Sequence, residues 1–128
     1  MRRITLLLIM GFSFLNLFCQ NEKFKTLSVN EFSVYISNLE VTVVDVRTPG
    51  EHVQGYIPGT DFNIDVLEDG YEAEVKSKLP KDRPVAVYCR SGNRSKKAAR
   101  ILAENGYEVV ELGSGFNGWA SSGRDIER

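Results

Sequence analysis

The residues best equipped for chemistry form one short run, Cys89-Arg90-Ser91-Gly92-Asn93-Arg94-Ser95. An apolar, strand-like stretch precedes it and a helix-like stretch follows it. Backbone N–H groups therefore converge on the cysteine where a helix begins, and a helix N-terminus carries about half a positive charge. Such a place stabilises an anion. The nucleophilic form of cysteine is the thiolate, so this placement points to an activated thiol, with Arg90 and Arg94 adding fixed positive charge. The amides of Arg90 to Ser95 are expected to form the cradle, with Gly92 and Asn93 taking positive φ where the loop closes. Ser95 reads both as the N-cap of the next helix and as a hydroxyl donor to the sulfur. Arg94 and Arg90 are candidates to hold the anionic end of a substrate, and each also reads as a solvated loop charge. A buried, inert cysteine is the bland alternative, and the polar, basic surroundings argue against it.

The elements that must position this run follow from pattern. Val41–Val46 is a β-branched run with little alternation, as expected of a strand buried on both faces of a parallel sheet. Pro84–Tyr88 and Val109–Leu112 read as further strands, Asp61–Val66 as a short one, and Glu22–Leu27 as a lead-in and edge strand. Ser28-Val29-Asn30-Glu31 has the form of a capping box and opens a helix over Val29–Asn38. Glu72–Leu79 predicts a helix ending before Pro80, and Ser95–Asn105 one stopped by Gly106. Gly50, Gly55, Pro58 and Gly59 punctuate what reads as a long loop, and Gly113–Gly118 reads as a glycine-rich turn with Trp119 closing the core beneath it. Strands alternating with helices imply right-handed crossovers and a mostly parallel sheet, an α/β domain. Ligands in such sheets sit beyond the carboxyl ends of the strands. Cys89 lies at one such end, and Asp45 and Arg47 lie at another. Two separate stretches thus point at the same rim.

With 128 residues, 42% of them hydrophobic and 26% charged, the chain suits one globular domain. A net charge of −1 and the lack of a basic run give no sign of a nucleic-acid partner, and none is expected. Residues 1–18 read differently: Arg2 and Arg3 lead into the apolar Ile4–Phe18. That stretch is shorter than the about 20 residues of a membrane span, so it is read as a signal peptide and set apart from the fold. Cys19, followed by Gln20-Asn21-Glu22-Lys23, resembles a bacterial lipoprotein junction and is a candidate lipidation site. Simple cleavage and a retained signal anchor are the other readings. All of them export the domain to the periplasm or cell envelope, with membrane contact only through this signal or its lipid. If Cys19 is lipidated, Cys89 has no intramolecular disulfide partner, and an unpaired thiol in an exported protein points to reactivity. His52 is the only histidine, and no Cys-His pairing pattern surrounds it, which disfavours a Cys-His hydrolase.

Taken together, these segments resemble the rhodanese family of sulfurtransferases. Asp45-Val46-Arg47-Thr48-Pro49-Gly50-Glu51 looks like that family's first signature. Gly55-Tyr56-Ile57-Pro58-Gly59 is similar to its second, with Tyr56 where a histidine is usual and Thr60 where alanine is common. Cys89–Ser95 matches the active-site loop, and Leu112-Gly113-Ser114-Gly115-Phe116-Asn117-Gly118-Trp119 looks like the closing motif, with Ser114 in place of glycine. His52 stands where an aromatic ring is usual. The resemblance runs from Phe24 to Trp119 and places the domain at residues 24–128. It implies a mostly parallel five-stranded sheet flanked by helices on both faces. It also implies that Cys89 is the catalytic residue, carrying sulfur as a persulfide, and that neither a metal nor an organic cofactor is required. A small anionic sulfur donor such as thiosulfate, and a thiol or cyanide acceptor, are the partners so implied, in two half-reactions. A partner redox protein is a further candidate, as the means of keeping an exported thiol reduced. Asp45, Arg47 and Glu51 are expected to fix the loop through ion pairs and hydrogen bonds. Lys96 and Lys97 fall on the first helical turn, where they either raise the potential at the mouth or face solvent.

Two rivals share parts of this pattern. A persulfide carrier or binding module that presents sulfur to a partner protein, without turnover, uses every residue named above. A cysteine phosphatase or arsenate reductase needs Cys-x5-Arg to ring a tetrahedral oxyanion. Here Arg94 gives Cys-x4-Arg, and Ser95 stands where that arginine is needed.

Overall fold

The computed structural model describes residues 23–128; the expected signal peptide over residues 1–18 and the candidate lipidation site Cys19 lie outside the described residues. Five parallel strands, β1 (Lys25–Leu27), β2 (Thr42–Asp45), β3 (Phe62–Asn63), β4 (Val85–Tyr88) and β5 (Val109–Leu112), form one sheet in the order β1-β5-β4-β2-β3. The helices are α1 (Val29–Ile36), α2 (Pro49–Gln54), α3 (Tyr71–Lys78), α4 (Asn93–Glu104) and α5 (Gly115–Ser121). Because side chains alternate across a strand, each buried strand feeds two apolar layers. Val44, Val85, Val87 and Val109 pack under α3 and α4 against Tyr71, Val75, Ala98 and Leu102. Val43, Ala86, Tyr88, Val110 and Leu112 pack on the other face against Phe32 of α1 and Trp119 of α5. The sheet is thus wholly parallel, with helices on both faces.

Several local expectations change. The stretch after β2 is not all loop: it contains α2, because Thr48 and Glu51 form a reciprocal capping box with Pro49 at the first helical position. The strand expected over Asp61–Val66 shrinks to Phe62–Asn63, since only β2 borders it. The helix expected over Val29–Asn38 stops at Ile36. The glycine-rich turn after β5 becomes α5 from Gly115 onward, and Trp119 lies within that helix.

Candidate active site

Cys89 follows the last residue of β4 and shares a face with Val85 and Val87, beneath the start of α4. Helix α4 begins earlier than expected. Its N-cap is Gly92 at φ +105, so Asn93 is already helical and takes no positive φ, and Ser95 is not an N-cap but the third helical residue. Only glycine suits this turn, for two reasons. The left-handed φ disfavours any side chain, and a Cβ here would overlap the Gly113 carbonyl. Gly115, at φ +62, faces the same limit, because a Cβ there would overlap the Arg90 carbonyl. That close approach lets the first amides of α5 hold the outer side of the loop. Phe116 N–H donates to Cys89 O at 2.7 Å, and Asn117 N–H donates to Arg90 O at 3.0 Å. With its carbonyls taken from outside, the loop turns N–H groups inward.

The inward groups meet the sulfur. Gly92 N–H donates to Cys89 Sγ at 3.1 Å, and Ser95 Oγ lies 3.5 Å from the same atom. Burial, at 1% exposure, pushes the thiol up. The Ser95 hydroxyl, whenever its proton is turned to the sulfur, and the amides of Ser95, Gly92 and Ser91 pull it down, and the balance falls below the ordinary cysteine value. The site therefore favours an anionic sulfur even though water scarcely reaches it.

The two arginines expected to bind a substrate both face Glu51. Arg94 meets Glu51 as a two-pronged pair, Nη1 to Oε1 at 2.7 Å and Nη2 to Oε2 at 2.8 Å. Glu51 also caps α2 through the Thr48 amide at 3.1 Å. Arg94 above all, against a smaller cost of burial and helped by Thr48, holds the Glu51 carboxyl down to about 2. Arg90 is the freer arginine: its side chain is 62% exposed and its Nε lies 3.5 Å from Glu51 Oε2. Arg90, Glu51, Gln54, Phe116 and Asn117 border a small open cleft of about 150 Å³ beside the loop.

A second charged group stands on the other side of β4. Arg47 binds Asp45 through Nε at 2.9 Å and Nη2 at 2.7 Å, and the same Nη2 donates to Gly55 O at 2.7 Å. The Arg47 guanidinium lies over the Phe116 ring at 4.3 Å, tying α5 to the β2 end. His52 Nδ1 donates to Asp45 Oδ2 at 2.9 Å, and its ring stacks on Tyr56 at 4.3 Å. His52 and Tyr56, two of the residues that depart from the family's usual pattern, thus meet each other. Thr60 gives the buried Tyr88 hydroxyl a partner at 2.9 Å.

One residue of the site escaped the sequence reading. Glu111, in the middle of β5, has no solvent exposure and accepts from Ser95 Oγ at 2.6 Å, with Lys96 Nζ 3.4 Å away. A lone acid in an otherwise apolar strand was the available signal. Its register opposite Val87 puts it on the Cys89 side of the sheet.

Comparison with known proteins agrees with this geometry. The family model described as "Rhodanese-like domain" matches residues 28–122. A sulfurtransferase of Allochromatium vinosum is 41% identical over 90 residues, covering 68% of this chain and 78% of that protein. The thiosulfate sulfurtransferase GlpE of Pseudoalteromonas translucida is 29% identical over 107 residues, covering 82% of this chain and 98% of that one. The crystal structure of a rhodanese-related protein from Thermoplasma volcanium superposes with a TM-score of 0.67 at 28% identity, covering 81% of this chain and 98% of that chain. With Cys89 in an amide-lined loop on a wholly parallel sheet, and the family model matched over most of its length, the chain belongs to the rhodanese-like domain family.

Proposed function

We propose that the protein is a sulfurtransferase that carries a sulfane sulfur on Cys89. The observation that carries this reading is the aim of the loop: Gly92 N–H at 3.1 Å from Sγ, with the amides of Ser91 and Ser95 also favouring charge on the sulfur. Such fixed donors act on the thiolate and on the outer sulfur of a persulfide alike, without reorganising during the reaction. In the first half-reaction the Cys89 thiolate attacks the outer sulfur of thiosulfate. An S–S bond forms on Cys89, the donor's S–S bond breaks with its electron pair, and sulfite leaves. In the second, cyanide or an acceptor thiolate attacks the terminal sulfur, and the Cys89 thiolate departs unchanged. Charge balances in both steps.

The near-complete burial of Cys89 suits a small donor that presents a single sulfur atom, and the exposed Arg90, on the cleft beside the loop, is the side chain assigned to the donor's anionic end in this reading. Intact mass after thiosulfate treatment tests this. Native protein is expected to gain one sulfur atom, to lose it on adding cyanide with release of thiocyanate, and to do so repeatedly. Cys89→Ser is expected to gain none while keeping its thermal melt. Sulfur transfer retained by Cys89→Ser refutes the assignment; a persulfide that forms but never turns over makes the domain a carrier.

A further inference from the structure

Ser95 Oγ has one hydroxyl proton and three acceptors around it: Glu111 Oε1 at 2.6 Å, Gly92 O at 3.2 Å and Cys89 Sγ at 3.5 Å. A hydroxyl donates most strongly to a charged carboxylate, and O–H···O⁻ contacts of this length are the strong ones. While Glu111 is charged, the proton belongs to it. Ser95 then turns a lone pair toward the sulfur and can only accept the thiol S–H. We infer that Glu111 gates the Ser95 hydroxyl: charged, it leaves the sulfur to the backbone amides alone; neutral, it frees that hydroxyl to donate to Cys89. Glu111 touches no reacting atom in this arrangement and is a positioning residue that acts through Ser95.

The surroundings of Glu111 make the gate sensitive. Lys96 of α4, at 3.4 Å, is the charged group that faces it; its register neighbours are Thr26 on β1 and Val87 on β4, neither of which titrates. Toward the sulfur, Arg94 contributes positive charge, already shared with Glu51. Among the described residues Glu111 therefore has one weak cationic partner and one hydroxyl. The thiol is held by two kinds of donor: amides fixed by the backbone, and a hydroxyl that the carboxylate can withdraw. A buried negative charge two contacts from the sulfur also disfavours the thiolate by direct repulsion. The resting cysteine is thus less reactive than its loop alone would make it.

This inference deepens the reading above at the same site and takes its meaning from it. Its test uses no sulfur donor, so the two fail separately. The rate of Cys89 alkylation by iodoacetamide, followed against pH, reports the thiolate directly. Glu111→Gln keeps the shape and removes the charge. Its alkylation midpoint is expected about one pH unit below the native one, which is about tenfold faster alkylation at pH values under both midpoints. Ser95→Ala is expected to leave the midpoint unmoved or lower in the native background, and to raise it in the Glu111→Gln background, where the hydroxyl serves the sulfur. A merely structural Glu111 produces no such reversal. Identical midpoints for native and Glu111→Gln overturn the proposal, as does a Ser95→Ala shift that is upward in both backgrounds. Should Glu111→Gln fail to give a cooperative melt, Ser95→Ala alone decides: a raised midpoint overturns the gate, and an unmoved or lowered one supports it.

Discussion

Strand β4 delivers Cys89 to the rim of the sheet, and each of its neighbours brings a fully buried carboxylate to the same rim. Asp45 ends β2 on one side and Glu111 lies in β5 on the other. Asp45 is saturated. It receives two guanidinium N–H groups and the backbone amide of Arg47, at 2.7–3.0 Å, and the His52 ring at 2.9 Å. Glu111 receives one hydroxyl at 2.6 Å and one ammonium at 3.4 Å. The alternation of side chains separates them as well: Asp45 works on the Tyr88 and Phe116 side, and Glu111 on the Cys89 side. A carboxylate with every lone pair taken by charged or rigid donors fixes a frame. One held by a single rotatable hydroxyl and a half-exposed lysine can change what its neighbours do. The first holds α2 and α5 around the loop; the second meets Ser95, the side chain beside the sulfur.

The contrast breaks first on stability. Removing one partner of a buried ion pair leaves the other charged and unpaired, at about 3–5 kcal/mol. Arg47→Met is therefore expected to lower the unfolding free energy by that amount in urea titrations. Glu111→Gln, which loses a charge but keeps a partner for Ser95, is expected to cost only about 1–3 kcal/mol. If Glu111→Gln proves the more damaging of the two, the frame has been placed on the wrong side of β4.

A second comparison, between two glycines, sharpens what the loop itself requires. Gly92 and Gly59 share similar backbone angles, φ +105 and +91. A Cβ at Gly59 meets nothing within 4 Å, whereas one at Gly92 would overlap the Gly113 carbonyl. Gly59→Ala is expected to cost about 1–2 kcal/mol, the left-handed penalty alone. Gly92→Ala adds displacement of the amide that donates to Cys89. It is expected to cost more and to move the alkylation midpoint of Cys89 upward by at least the share of that donor. Equal effects at both glycines would mean that the contact with Gly113 relaxes freely.

How much of this was legible follows from where each restraint is written. The β-branched runs around Val43 and Val87 betray strands buried on both faces, and a cysteine between such a run and a helix is readable as a candidate nucleophile. Asp45, Arg47 and Glu51 are legible as loop supports because they cluster in sequence. The start of α4 is not legible because Ser95 looks like a cap, whereas its hydroxyl is drawn to Glu111 sixteen residues away. No local rule contains that partner. Helix α2 is masked in the sequence, although Thr48-Pro49-Gly50-Glu51 carries a capping box, because Gly50 and Gly55 read as loop residues. Glu111 is illegible for a related reason: a single acid in a short apolar strand acquires meaning only when the sheet order places it beside Cys89.

The smallest expected effect tests the outermost charge of the frame. Glu51 joins α2 to the loop through Arg94, and its carboxyl is held at about 2, against about 4.3 for a free glutamate. A carboxyl lowered in the folded state contributes stability that is fully present above its unfolded value and is lost as pH falls toward its folded one. The window here runs from about pH 4.3 down to about 2. The pair is partly exposed, with side chains 22% and 19% accessible for Arg94 and Glu51, so water and salt screen it. Native protein is expected to lose melting temperature between pH 5 and pH 3, both set by experiment, by slightly more than Glu51→Gln does. Raising the salt concentration should narrow that difference. The variant starts lower at pH 7 because Arg94 has lost its carboxylate, and the two curves converge as native Glu51 takes up its proton. Parallel curves would mean that Arg94 finds another anion when Glu51 is gone. The two-pronged contact would then orient Arg94 beside the loop without contributing to the pH dependence of the fold.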